Sequence, residues 1–261
     1  MRKIFFVLLV VNMFYARVYS QEVLIVADEI PAMQVLANAL KKNENLDAKI
    51  VTQSQMPASL TDFRAVVVYI HQDLDPDPEK AFIEYTRNGG RLICLHHSIS
   101  SKKRKNASWF TFLDLDLPPG DVEAGGYKFV GNIDLGVLNL APRHFIMTNK
   151  MHYDTSFAFT RENKNKQVNR KGFMLKNTEA FLNHNLHVNP SRKILMGMKM
   201  RDKAGKEWMQ SRSAWYMPSG KGWVFYSQPG HAVSDFENAN YARIVTNMIV
   251  FTTPASAKDK L

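Results

Sequence analysis

Four apolar stretches of this 261-residue chain each run straight into groups that can bind a proton or a metal. Glu22 to Asp28 (EVLIVAD) ends in a carboxylate. Phe63 to Ile70 (FRAVVVYI) runs into His71, and Arg91 to Leu95 (RLICL) runs into His96-His97-Ser98. Trp223 to Ser227 (WVFYS) is followed by Gln228, Pro229, Gly230 and His231. An imidazole with its ordinary pKa of about 6.5 gives or takes a proton near neutrality. Two of them facing one pocket can act as acid and base. They can also hold a divalent metal if a carboxylate joins them, with Asp28 and Asp154 as candidates for the third ligand. Each histidine can equally be a capping or hydrogen-bonding residue at a strand end.

The elements that would position these groups can be read from patterning. Runs that are apolar on successive residues suggest strands buried on both faces, as in a parallel sheet. Between them lie helical signals. Pro31 can open a helix whose Met33, Leu36, Ala37 and Leu40 share one stripe. Ala48 to Thr52 reads as a strand. Asp77 before Pro78 predicts a second helix start, with Ala81, Phe82 and Tyr85 inward and Asn88-Gly89-Gly90 as its stop. Ile194 to Met200 reads as a later strand, and Asn238 caps a closing helix carrying Tyr241, Val245, Met248 and Ile249. The alternation predicts an α/β fold: a doubly wound, mostly parallel sheet with helices on both faces. In such a sheet ligands bind outside the carboxyl ends of the strands, where the four polar clusters stand.

Two regions read less directly. Residues 99–130 are basic, then aromatic, then rich in Pro and Gly, which suggests a long loop with short helices acting as a lid. Trp109 in it is either a face for a sugar to stack on or a core aromatic. Residues 155–190 are polar and show no clear period. His184 and His187 lie there and read as surface residues.

The N-terminus sets the expected compartment. Arg2-Lys3, the apolar run Ile4 to Val11 and Val18-Tyr19-Ser20 have the order of a secretory signal over residues 1–20. The expected mature domain is 21–254, with a disordered tail at 255–261. No second long apolar run follows, so no transmembrane segment is expected in the mature chain. One cysteine, Cys94, allows no intrachain disulfide, which favours a periplasmic or other extracellular setting over a stapled secreted module. The net charge of +10 is mostly carried by 102–105 and 161–171, which read as solvated loops. Nucleic acid is not an expected partner of an exported chain.

Gly89-Gly90, the strand Leu92 to Leu95 and His96 resemble the first motif of the ThuA-like, or trehalose-utilisation, family. Gly220-Lys221-Gly222-Trp223-Val224-Phe225-Tyr226-Ser227-Gln228-Pro229-Gly230-His231 resembles its second. His144 to Thr148 and Asp154 to Phe157 are similar to a weaker motif between them, and Phe236 to Phe251 resembles the closing helix. The resemblance spans 22–252 and implies a class I glutamine amidotransferase-like, flavodoxin-like fold. In those amidotransferases a cysteine sits at the strand-to-helix elbow. Here the elbow holds His96, and Cys94 falls inside the strand as a buried thiol, so Cys-dependent amidotransfer is not expected. Cys94 also stands where the family commonly has glycine, His97 replaces a small residue, and Thr155 follows Asp154 where an acid is more common.

With the export expected from the N-terminus, the resemblance implies a carbohydrate-active enzyme, hydrolase or lyase in type, with a small carbohydrate as ligand. His96 and His231 would transfer protons on a sugar or keto-sugar, and Asp154 would orient one imidazole. Asp28, His71, His97, Ser98, Trp109 and Gln228 would contact substrate. A non-catalytic glycan-binding protein on the same fold is the alternative, and a metal-dependent hydrolase a third. No pair of acids converges in the motifs, which does not fit two-carboxylate glycoside cleavage.

Overall fold

Val23 to Ala27 have no exposed surface at all. Burying such a run is worth roughly 1.5–3 kcal/mol per large apolar side chain, and it forces the strand into the middle of the molecule. The structure is a computed structural model and describes residues 22–161 and 165–253. The signal expected at 1–20 and the tail expected at 255–261 lie outside the described residues. Along the chain run β1 (Glu22–Ala27), α1 (Ile30–Glu44), β2 (Asp47–Val51), β3 (Ala65–Tyr69), α2 (Pro76–Arg87) and β4 (Arg91–Leu95). Then come α3 (Ala107–Leu113), the short β5 (Leu115–Asp116), β6 (Lys128–Asn139), α4 (Phe145–Thr148), β7 (Thr155–Thr160) and β8 (Gln167–Leu182). The chain closes with β9 (Asn185–Leu186), β10 (Lys193–Arg201), β11 (Glu207–Ser219), β12 (Gly222–Ser227), α5 (Val233–Glu237) and α6 (Ala239–Val250).

Ten strands form one sheet in the order β2-β1-β3-β4-β12-β11-β10-β6-β8-β7. The first five are parallel to their neighbours. From β12 onward every pairing is antiparallel. The sheet is therefore mixed, and the expectation of a mostly parallel one is corrected. The unplaced residues 155–190 supply much of the antiparallel half. Their strands hide their period because β6 and β8 slip register about Gly131 to Leu135. Asn132 and Asn177 take left-handed backbone there, at φ 55° and 50°. Such bulges break the alternation that a sequence reader counts.

Helices cover both faces of the parallel half. Ile25, Val67, Ile93 and Phe225 pack under Met33, Leu36, Val245 and Met248 of α1 and α6. Leu24, Val66, Leu92 and Tyr226 pack on the other side with Phe82, Tyr85 and Trp109. Cys94 is fully buried in that second core, and burial pushes its thiol pKa up. Trp109 has no exposed surface, and its indole N–H donates to the Ser98 carbonyl (2.8 Å). This corrects its expected sugar-stacking role: the ring belongs to the core, where it stacks on Phe112. His184 is also buried, against Tyr127 and Phe181, and is not the surface residue expected. Among the described residues no helix is long and apolar enough to cross a membrane.

Local chemistry ends the elements. Asn45 closes α1 in left-handed backbone at φ 53°. α2 begins at Pro76 with Asp75 before it, two residues earlier than the start predicted at Asp77-Pro78. The Asn238 side-chain oxygen accepts the amides of Asn240 and Tyr241 at 3.0 and 3.1 Å, capping α6. Arg91 donates to the carbonyls of Met248, Ile249 and Phe251 at that helix's other end. Gly222 is required where β12 crosses the end of α2: a Cβ would lie 2.1 Å from the Thr86 carbonyl oxygen and 2.2 Å from that of Gly90. Urea denaturation checks both features. Asn238→Ala is expected to cost about 1 kcal/mol. Gly222→Ala should cost more than about 3 kcal/mol, because both obstacles are backbone.

Candidate active site

Strand register delivers the site. Ser227 lies opposite Leu95, so His96 and Gln228 leave the sheet side by side. Ala27 lies opposite Tyr69, so Asp28 leaves beside Ile70 and His71. At the elbow His96 takes left-handed backbone, φ 43°, an uncommon conformation for a residue with a Cβ. Its Nδ1–H donates to the Gln228 carbonyl at 2.6 Å, and its ring stacks on Phe181 at 4.6 Å. The Gln228 amide group in turn donates to the Phe181 carbonyl (2.6 Å). With the proton on Nδ1, His96 Nε2 carries a lone pair. That lone pair faces Glu179 Oε1 at 3.4 Å, and His97 Nε2 lies 3.3 Å from the same oxygen.

Two further imidazoles join. The His231 ring centroid is 5.0 Å from that of His96 and 5.5 Å from that of His97. His71 lies 4.3 Å from His97 and 6.0 Å from His231. His231 is fixed through its backbone. Its amide donates to Asp235 (2.8 Å) and its carbonyl accepts from the Tyr69 hydroxyl (2.8 Å). The Asp235 carboxylate also accepts from Thr178 (2.5 Å), next to Glu179 on β8. His71 Nδ1 lies 3.5 Å from Asp28, whose carboxylate accepts the amides of His71 (2.8 Å) and Gln72 (2.7 Å). Behind this loop the fully buried Lys103 donates to the carbonyls of Ile70, His71 and Gln72. Burial pulls its pKa down to about 8.

The environment favours uncharged groups. Burial, with the neighbouring imidazoles adding to it, pushes the pKa values of His96 and His97 far down; at His96 this outweighs the bond to the Gln228 carbonyl, which pulls the other way. Burial raises that of Glu179. Asp28 goes the other way. Burial opposes its ionisation, but the His71 side chain and the Gln72 and His71 amides outweigh that and hold it at about 2.

The expected residues fare differently. His71, His96, His97 and His231 are brought together, with Asp28 beside His71. His96 has no exposed surface and sits only 5.0 Å from His231, so no sugar fits between the two rings. Ser98 and Gln228 are buried and bonded to carbonyls, of Val68 and Phe181, and support the site from behind. Asp154 is exposed at the start of β7 and bonds to its neighbour Thr155 (2.9 Å). The carboxylate among the imidazoles is Glu179 instead, which corrects the expectation for Asp154. Glu179 was legible only as an acid just before a buried apolar run, Ala180-Phe181-Leu182, where an unpaired carboxylate is rare.

Comparison with known proteins places the fold. The sequence profile of the ThuA family, described as trehalose utilisation, matches residues 16–252. The chain belongs to the ThuA family. A ThuA-like protein from Bacteroides uniformis is similar over 90% of this chain and 94% of its own, at 15% identity and a TM-score of 0.57. The β-galactosidase of Bacillus circulans sp. alkalophilus is similar over 90% of this chain, at 8% identity and a TM-score of 0.52. This ThuA chain spans only 32% of that enzyme's length. At these identities the likenesses show the fold alone. No curated protein matches the sequence.

The Asp28 carboxylate gives a pH test. Its folded pKa lies below the ordinary value of about 3.9, so its contribution is present above pH 4 and is lost as pH falls through about 2. Allowing for solvent screening of a partly exposed group, Asp28→Asn should cost about 1 kcal/mol at pH 7. The gap from wild type should close between pH 4 and pH 2 in urea titrations.

Proposed function

We propose that this ThuA protein is an exported enzyme acting on a sugar or keto-sugar at the imidazole cluster. The observation that carries the reading is the convergence of His96, His97, His231 and Glu179 from three distant segments at one end of the sheet. Family membership supports the substrate class. The order β2-β1-β3-β4-β12, with helices on both faces, supports reading the parallel half as a doubly wound, amidotransferase-like sheet. The ligand end of such a sheet is where the cluster lies.

In this mechanism the roles divide by access. His97 and His231 are partly exposed and meet the substrate. His96 is buried and orients the group from beneath, through Glu179 and Gln228. Hydrolysis or elimination on a keto-sugar needs one proton taken and one returned, and several adjoining imidazoles suit that task.

A screen of the purified protein against sugars and their keto-derivatives, scored for turnover and thermal stabilisation, tests the reading. His231→Ala and His96→Ala should each lower turnover at least about 100-fold while substrate still raises the melting temperature. Ligands that stabilise the protein with no turnover of any candidate would replace the enzymatic reading with a binding one. Export predicts a mature N-terminus at Gln21 on sequencing of protein recovered outside the cytoplasm.

A further inference from the structure

The centre of the cluster has an electrostatic problem. His96 gives its one ring proton to the Gln228 carbonyl. Its other nitrogen is fully buried, has no hydrogen-bond partner and points at the oxygen of a carboxylate, Glu179 Oε1, which is also without one. His231 Nδ1 is buried and unpartnered too. With Glu179 ionised, acceptor faces acceptor across 3.4 Å, an arrangement that is repulsive and costly in a buried site unless a proton or a cation lies between.

We propose that His96, His97, His231 and Glu179 hold one divalent first-row transition-metal ion, with zinc the natural candidate. Each residue offers one ligand atom, and the four atoms all lie within 4.8 Å of one another. Two of the separations, 3.4 and 3.3 Å from Glu179 Oε1 to the His96 and His97 nitrogens, already match the edge of a tetrahedron with bonds of about 2.0–2.1 Å. Three imidazoles and a carboxylate suit zinc, iron or nickel, and exclude the all-oxygen preference of calcium and magnesium. The His96 to Gln228 bond is the outer contact that metal-bound histidines commonly make: it fixes the tautomer and aims Nε2 at the ion. The ligands also come from rigid positions, two from the end of β4, one from β8 and one from the segment after β12. The ion would take the ring nitrogens that the enzymatic reading uses for proton transfer, so the metal site stands apart from that reading and does not depend on it.

Calorimetric titration of zinc into the full, chelator-stripped protein tests the proposal, alongside elemental analysis of the protein as purified. One equivalent should bind with a dissociation constant below about 1 μM, and added zinc should raise the melting temperature. Glu179→Gln and His97→Ala should each weaken binding at least tenfold, whereas His152→Ala, at an exposed histidine, should not. Should the variants fail to fold, imidazole nitrogen NMR of the wild type decides. Zinc should shift His96, His97 and His231 and leave His144, His152 and His187 in place. No saturable binding, equal binding by folded variants, or shifts confined to other histidines would overturn the proposal. Zinc binding without turnover of any sugar would support the metal site and count against the enzyme.

Discussion

One hydrogen bond organises the site: the His96 Nδ1–H to the Gln228 carbonyl, 2.6 Å long and shut off from water. It joins the ends of two neighbouring parallel strands. It also decides which ring nitrogen carries the proton, and so which lone pair faces the pocket. The bond exists because β4 and β12 end level, Leu95 against Ser227. Left-handed backbone at His96 then turns the ring across the sheet end instead of along it. Register, backbone strain and tautomer are thus one constraint seen at three scales.

The antiparallel half gives this arrangement its second side. β6, β8 and β7 extend the sheet well beyond the parallel strands, and β8 brings Glu179, Phe181 and Thr178 to the end of the sheet where His96 and His231 lie. Phe181 supplies the surface on which the His96 ring lies. Thr178 reaches Asp235, which also holds the backbone of His231. The strand therefore carries the acid, the apolar floor and one anchor of the late histidine. A histidine stands at the strand-end elbow, and the antiparallel strands furnish its partner carboxylate.

What was legible in the sequence follows the strength of local signals. Unbroken apolar runs ending in Asp28, His71, His96 and Gln228 marked both the strands and the polar residues at their carboxyl ends, because a run apolar on successive residues reads as a strand buried on both faces. Asn238 and the Gly-Gly stop behaved as caps for equally local reasons. The acid of the site was not legible in this way. Glu179 becomes special only when long-range pairing sets β8 beside β6, and the bulges at Asn132 and Asn177 disguise that strand. Trp109 and Asp154 failed for a related reason. An aromatic in a basic loop and an acid after a histidine segment look functional one at a time, and only tertiary packing shows one in the core and the other in solvent.

The buried ammonium of Lys103 has a consequence for traffic into the site. Its three carbonyl partners are the successive residues that present His71. Moving that loop would strand a charge in an apolar interior, so the His71 side behaves as a fixed wall. His97 and His231 beside it keep partial exposure, so the solvent-facing side of the cluster runs along these two rings.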